Sequence, residues 1–179
     1  MTIYLIRHGK TEANEKHLYC GSLDLPLSPA GIEALRERQY AIAEVRFLTS
    51  GMLRAEQTLK ILFGDVPHHI EPRFREVDFG NFEGKSYDQL KDDPAYQAWI
   101  TGDNEANVPP NGESGNQMKA RVLEAFSELT EDTLLVTHGG VIAAIMAHLF
   151  PEEEKSRYQW QPENGCGYAI RDGRYREIP

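Results

Sequence analysis

Apolar positions along this chain fall into two patterns, short unbroken runs and longer stretches with helical spacing. "TIYLI" (2–6), "RFLTS" (46–50) and "TLLVT" (133–137) are short and largely apolar, which predicts buried strands, and "HHIEP" (68–72) predicts a briefer one. In "LSPAGIEALRERQYAIAEV", Ser28 can cap a helix with Pro29 at its first position, and Ile32, Leu35, Gln39 and Ile42 give it a mostly apolar face. "LRAEQTLKILF" (53–63) reads as a helix stopped by Gly64 and Pro67. Helical spacing returns in "GESGNQMKARVLEAFSELT" through Met118, Val122, Leu123 and Phe126. "GGVIAAIMAHLF" is apolar nearly all round and therefore predicts a buried helix. Residues 73–113 are irregular, with helical fragments around "SYDQLKD" and "PAYQAWIT". "GCGYAIRDGRYREI" closes the sequence as a hairpin turning at "RDGR".

Strands alternating with helices indicate an α/β protein, a three-layer α/β/α sandwich with a mostly parallel central sheet. No repeat or linker divides residues 1–179, so one domain is expected. The formal net charge of −9 argues against a general nucleic-acid binder or a protein held on an anionic membrane, and an anionic substrate would need a local positive cluster. "VIAAIMAHLF" falls short of the roughly 20 apolar residues of a membrane span, and the apolar run in "MTIYLIRHGK" is too short for a secretory signal. Cys20 and Cys166 are far apart and form no CxxC, so reduced thiols and a cytoplasmic location are expected, without a zinc site.

Ligands of open α/β sheets bind outside the carboxyl ends of the strands. Two strands end alike here, "YLI" on Arg7-His8-Gly9 and "LLVT" on His138-Gly139-Gly140, and "RFLTS" leads through Gly51 to Arg54. A single histidine after a strand is more often structural than catalytic, but three exits bearing arginine or imidazole make the required positive cluster. That set suits phosphoryl transfer. A neutral imidazole can attack phosphorus, guanidinium forks match phosphate oxygens, and a carboxylic acid can protonate the departing alcohol. Glu76, Asp78 and Glu83 are the carboxyl candidates. Metal is unnecessary where arginines supply the charge. His17, His68, His69 and His148 lack such a context and read as surface or structural residues, and Cys20 lacks a basic partner.

"LIRHGKTEAN", "LRAEQT", "FREVDFGNFEG" and "VTHGG" stand in the order found in the histidine phosphatase superfamily, and the chain resembles that phosphoglycerate-mutase-like family over nearly its whole length. The resemblance implies that His8 is phosphorylated, that Arg7, Arg54 and His138 bind the phosphoryl group, and that Glu76 is the proton donor. It implies Asn14, Gly21, Ser22 and Gly139 as substrate-binding residues, Thr11 as a supporting residue, and neither metal nor cofactor. "LYCGSLDLPLSPAG" is similar to alpha-ribazole phosphatases and to broad-specificity members. The expected activity is hydrolysis of a small phosphorylated metabolite, alpha-ribazole phosphate among the candidates, by a monomer or homodimer with no nucleic-acid or membrane partner. A cofactor-dependent phosphoglycerate mutase is the rival enzyme. The short segment between "FEG" and "TLLVT" leaves little room for the insertions that shield the phosphoenzyme in the family's mutases. A non-catalytic phospho-ligand-binding regulator is disfavoured because Arg7, His8, Arg54, Glu76 and His138 are all present.

Overall fold

The computed structural model describes residues 1–42 and 44–179. Among these residues six strands form one sheet: β1 (Thr2–Arg7), β2 (Arg46–Thr49), β3 (His68–Ile70), β4 (Thr133–Thr137), β5 (Gly167–Arg171) and β6 (Arg174–Ile178), in the order β3-β2-β4-β1-β5-β6. The pairs β1–β4, β2–β4 and β2–β3 are parallel, whereas β5 runs antiparallel to both β1 and β6. Only β5 therefore opposes the common direction, because the two-residue turn at Asp172 and Gly173 returns the chain at once. Both residues are left-handed, with φ of 50° and 69°, as a tight hairpin between twisted strands demands.

The helices are α1 (Glu12–Glu15), α2 (Pro29–Arg36), α3 (Leu53–Phe63), α4 (Tyr87–Leu90), α5 (Pro94–Ile100), α6 (Gly115–Ser127), α7 (Gly139–Leu149) and α8 (Arg157–Trp160). Strand alternation divides the core between the sheet's two faces. Ile3, Leu5, Leu48 and Leu135 pack against Val122 of α6 and Val141, Ile142 and Ile145 of α7. Ile6, Leu134 and Val136 face the other way, onto Ala55 and Leu59 of α3. The central strand β4 is buried throughout, and each fully buried aliphatic side chain there contributes roughly 1.5–3 kcal/mol. These layers are the predicted sandwich. No helix among the described residues is long and apolar enough to cross a membrane.

The helix opened by Ser28 is shorter than its sequence pattern predicts. The Ser28 hydroxyl accepts the Gly31 amide and Pro29 is the first helical residue, but the helix stops at Arg36. Tyr40 and Ile42 have the i, i+2 spacing of extended chain and pack with Val45 against the α3 side of the sheet, and the Tyr40 hydroxyl donates to the Gly165 carbonyl at 2.6 Å. Tertiary contacts override the helical pattern there; Ala43, within the predicted helix, lies outside the described residues. The segment after β3 has its own small aromatic core. Phe82, Leu90 and Tyr96 are buried with Tyr19, Phe79 and Trp99 around them, and the chain joins the loop after α1 through the Gly84 amide and the Tyr19 carbonyl at 2.7 Å.

Candidate active site

Parallel pairing places Arg7 of β1 beside Thr137 of β4, and Thr49 of β2 beside Val136. The residues that follow these strands therefore meet at one sheet edge. The His8 and His138 ring centroids are 5.2 Å apart, with planes inclined by 58°. Gly51, in the left-handed region at φ +80°, turns β2 into α3 and brings Arg54 beneath His8. The Thr58 hydroxyl ties the two segments, accepting the Gly9 amide at 2.9 Å and donating to the Arg54 carbonyl at 2.7 Å.

His8 is 5 % exposed, and its Nδ1 lies 2.6 Å from the Gly9 carbonyl. A carbonyl oxygen only accepts, so Nδ1 carries the hydrogen and Nε2 keeps its lone pair. Arg54 Nε–H points at that nitrogen from 3.3 Å. Burial, then the Arg54 charge, holds His8 well below the usual histidine range, against the pull of the Gly9 hydrogen bond, so the ring is neutral. His138 is fully buried and is likewise held neutral, by burial first and then by Arg54. Its Nε2 lies 2.8 Å from Ser50 Oγ, and among the described residues its Nδ1 has no partner. Ser50 Oγ also accepts the Met52 amide at 3.3 Å and has its hydroxyl hydrogen to offer His138 Nε2. In that tautomer His138 Nδ1–H is an unpaired donor.

The arginines are equally constrained. Arg54, 1 % exposed, donates Nη1 to the Leu23 carbonyl at 2.9 Å and Nη2 to the Gly21 carbonyl at 2.8 Å. Arg7 donates Nη1 to the Pro162 carbonyl at 2.8 Å, while its Nε is buried without a partner among the described residues. Burial lowers the Arg7 pKa and the nearby Glu76 carboxyl opposes that shift. Gly139 stands over this group, where a Cβ would come within 3.2 Å of Arg7 Nε.

Of the three carboxyl candidates, only Glu76 lies over the start of α7. Its Oε2 accepts the Gly140 amide at 2.9 Å and its Oε1 the Val77 amide at 3.0 Å. Neither neighbouring arginine pairs with it: Arg73 holds Glu71 and Glu128, and Arg75 Nε reaches the Ser50 carbonyl at 3.4 Å. Asp78 and Glu83 instead accept hydrogen bonds from the loop at Ser22. Gly21 is buried with its amide and carbonyl both engaged by protein groups, and exposed Ser22 donates its hydroxyl to Asp78 at 2.8 Å. Asn14 and Thr11 form the capping box of α1, in which Asn14 Oδ1 accepts the Thr11 amide at 2.9 Å. His17 and His148 are exposed, as are His68 and His69 on the edge strand. Both cysteines are free, and burial pushes the Cys20 thiol up. Among the described residues no three His, Cys, Asp or Glu side chains are grouped to hold a metal ion.

A family model described as the histidine phosphatase superfamily (branch 1) matches residues 3–176. The chain belongs to that superfamily. Adenosylcobalamin/alpha-ribazole phosphatase of Salmonella typhimurium (strain LT2) is 34 % identical over 183 residues, spanning 95 % of this chain and 90 % of the relative. A crystal structure provisionally described as an alpha-ribazole-5'-P phosphatase of Escherichia coli K-12 superposes with a TM-score of 0.86 at 28 % identity, covering 99 % of this chain and 94 % of the other. Phosphoglycerate mutase of Thermus thermophilus also shares the fold, with a TM-score of 0.78 at 28 % identity over 100 % of this chain and 97 % of that one.

In this histidine phosphatase, several supporting groups escaped the sequence reading. Ser50 sits at the third strand exit and reaches His138, a role its position after β2 could have suggested. Arg121 of α6 holds the backbone that carries Glu76, donating to the Arg73 and Arg75 carbonyls at 2.7 Å and to that of Glu76 at 3.1 Å. The segment "RYQWQPENG" (157–165), which by sequence could line a pocket or face a partner, backs the site: Asn164 Nδ2 donates to the His8 carbonyl at 3.0 Å and the Gly165 amide to that of Arg7 at 2.9 Å. No local sequence signal marks those long-range bonds.

Proposed function

We propose that this chain is a phosphomonoesterase that hydrolyses a small phosphorylated metabolite through a phosphohistidine on His8, without a metal ion. The observation that carries the reading is the lone pair of His8 Nε2, fixed by the Gly9 hydrogen bond in a buried ring flanked by Arg54 and His138. In the first step Nε2 attacks phosphorus, the P–O bond to the alcohol breaks, and the departing oxygen takes the Glu76 proton. Water then attacks phosphorus, the P–N bond breaks, and Glu76 receives the proton the water loses. Arg54, Arg7 and His138 bear on the phosphoryl oxygens, where buried donors already in position stabilise developing charge without reorganising. The unpartnered Arg7 Nε and His138 Nδ1 support this assignment, because orphaned buried donors are costly unless a ligand satisfies them. Asn14 Nδ2 and the Gly139 backbone complete the proposed substrate contacts, and the loop at Gly21 and Ser22, whose amides are held by Glu83, borders the substrate.

The Salmonella relative's name supports alpha-ribazole phosphate as the first substrate to try. The free cysteines fit a reducing cytoplasm, and the proposed unit is one domain acting as monomer or homodimer with no nucleic-acid partner. The test is a rapid-quench experiment with radiolabelled para-nitrophenyl phosphate and alpha-ribazole phosphate. It should trap an acid-labile phosphoenzyme that His8→Ala loses together with nearly all turnover. Turnover retained in that variant, or isomerisation of phosphoglycerate in place of phosphate release, would overturn the reading.

A further inference from the structure

We propose that Glu83 is a positioning residue for the phosphate site, acting through Arg54 by clamping the loop Gly21–Leu23; the inference rests on the phosphatase reading. Glu83 follows the turn Gly80–Phe82, and its carboxylate receives hydrogen bonds from four backbone amides. Oε2 accepts the Gly21 amide at 2.9 Å and that of Leu23 at 3.4 Å. Oε1 accepts the Ser22 amide at 2.8 Å and that of Phe79 at 3.0 Å, and shares with Asp78 the one hydrogen of the Ser22 hydroxyl, 3.1 Å away. The same loop presents its carbonyls in the opposite sense: Gly21 and Leu23 accept the two Nη groups of Arg54. The loop therefore lies between a carboxylate holding its N–H groups and a guanidinium held by its C=O groups.

Two features make this more than loop packing. Gly21 is required for the approach, since a Cβ there would collide with the Val77 carbonyl oxygen and sit 2.9 Å from Glu83 Oε1. Among the described residues Arg54 has no other anchor for its Nη groups: its remaining side-chain bond is the one from Nε to His8. Converging backbone N–H groups form an anion-binding concavity, and here a side-chain carboxylate fills it. An amide in its place would turn an N–H₂ donor toward N–H donors, so Glu83→Gln keeps the shape but breaks the clamp. With its carbonyls released, Arg54 would lose the orientation that aims Nε at the reacting nitrogen.

The experiment compares Glu83→Gln in the parent and in Arg54→Lys, whose single ammonium cannot hold both carbonyls. With para-nitrophenyl phosphate, Glu83→Gln should lower kcat by about 10²-fold in the parent while KM moves by less than about threefold. In the Arg54→Lys background the further loss should shrink below about threefold. Equal losses in both backgrounds, or none in the parent, would overturn the proposal. Glu83→Ala is the second variant, and formate should restore part of its kcat where chloride does not; no difference between the two salts counts against the clamp. The Arg54 Nε–H proton, followed by NMR, gives a readout independent of turnover. It should be protected from solvent exchange in the parent and exposed in Glu83→Gln, and unchanged protection would overturn the link. If the parent forms no phosphohistidine, the catalytic reading fails while this proton still decides whether Glu83 positions Arg54.

Discussion

Ser50→Ala removes the side chain that, among the described residues, bonds His138. Ser50 is fully buried, its Oγ lies 2.8 Å from His138 Nε2, and it accepts the Met52 amide at 3.3 Å. Alanine preserves the backbone and leaves Nε2 without a partner on a ring whose Nδ1 already has none. Orphaning a buried polar atom costs roughly 1–3 kcal/mol, and the long bond from Met52 adds little. Taking about 2 kcal/mol, and an unfolding entropy near 2.1 cal/mol/K per residue, the melting temperature should fall by about 5 °C. Turnover should fall as well, since a Ser50 hydroxyl that donates to Nε2 leaves Nδ1–H as the proposed donor to the phosphoryl group. Losing that preference in about nine molecules of ten would lower kcat about tenfold, equivalent to about 1.4 kcal/mol. Calorimetry and steady-state kinetics on para-nitrophenyl phosphate read the two effects separately. Ser50→Thr, which keeps the hydroxyl, should recover kcat better than it recovers stability, because its extra methyl enters a packed site. A melting temperature within about 1 °C of the parent together with an unchanged kcat would refute the hydrogen-bond argument.

Glu76→Gln should cost about 10²-fold on an alkyl phosphate and far less on para-nitrophenyl phosphate, whose phenolate leaves without a proton; equal losses on both would remove Glu76 from acid catalysis. Acid should destabilise the protein through its buried histidines. His8 and His138 are both held well below the usual range, whereas the unfolded chain takes up their protons near pH 6.5. Stability is therefore complete above about pH 6.5 and falls as pH drops, by up to about 1.4 kcal/mol per histidine per pH unit. Urea unfolding from pH 7 to 5 checks this, and a slope unaltered in His138→Gln would contradict it. Dialysis against EDTA should leave kcat unchanged, while strong inhibition reversed by one divalent ion would show that arginine charge is insufficient.

The elements most legible in the sequence are those whose structure depends on local rules. "TIYLI", "TLLVT" and "LRAEQTLKILF" adopt the predicted states because period and burial agree within each segment. "RDGR" turns as predicted because glycine accepts a left-handed conformation and aspartate tolerates one. The stretch after Arg36 escaped because a helical pattern can be overruled by distant contacts, here with α3 and Gly165. The same distinction divides the site. Arg7, His8, Arg54 and His138 are visible as residues at strand exits, since parallel strands place their C-terminal ends along one edge.

By itself the sequence determined the layered α/β fold, the cationic strand exits and the family resemblance, because each is written in periodicity or in residues adjacent along the chain. The tertiary structure alone decided which nitrogen of His8 is free, how Ser50 fixes His138, why Glu76 rather than Asp78 or Glu83 stands over α7, and how Glu83 grips the loop that holds Arg54. Those properties belong to hydrogen bonds between segments tens of residues apart. A hydrogen bond requires its two atoms within about 3 Å and well aligned, a condition that neither composition nor spacing specifies.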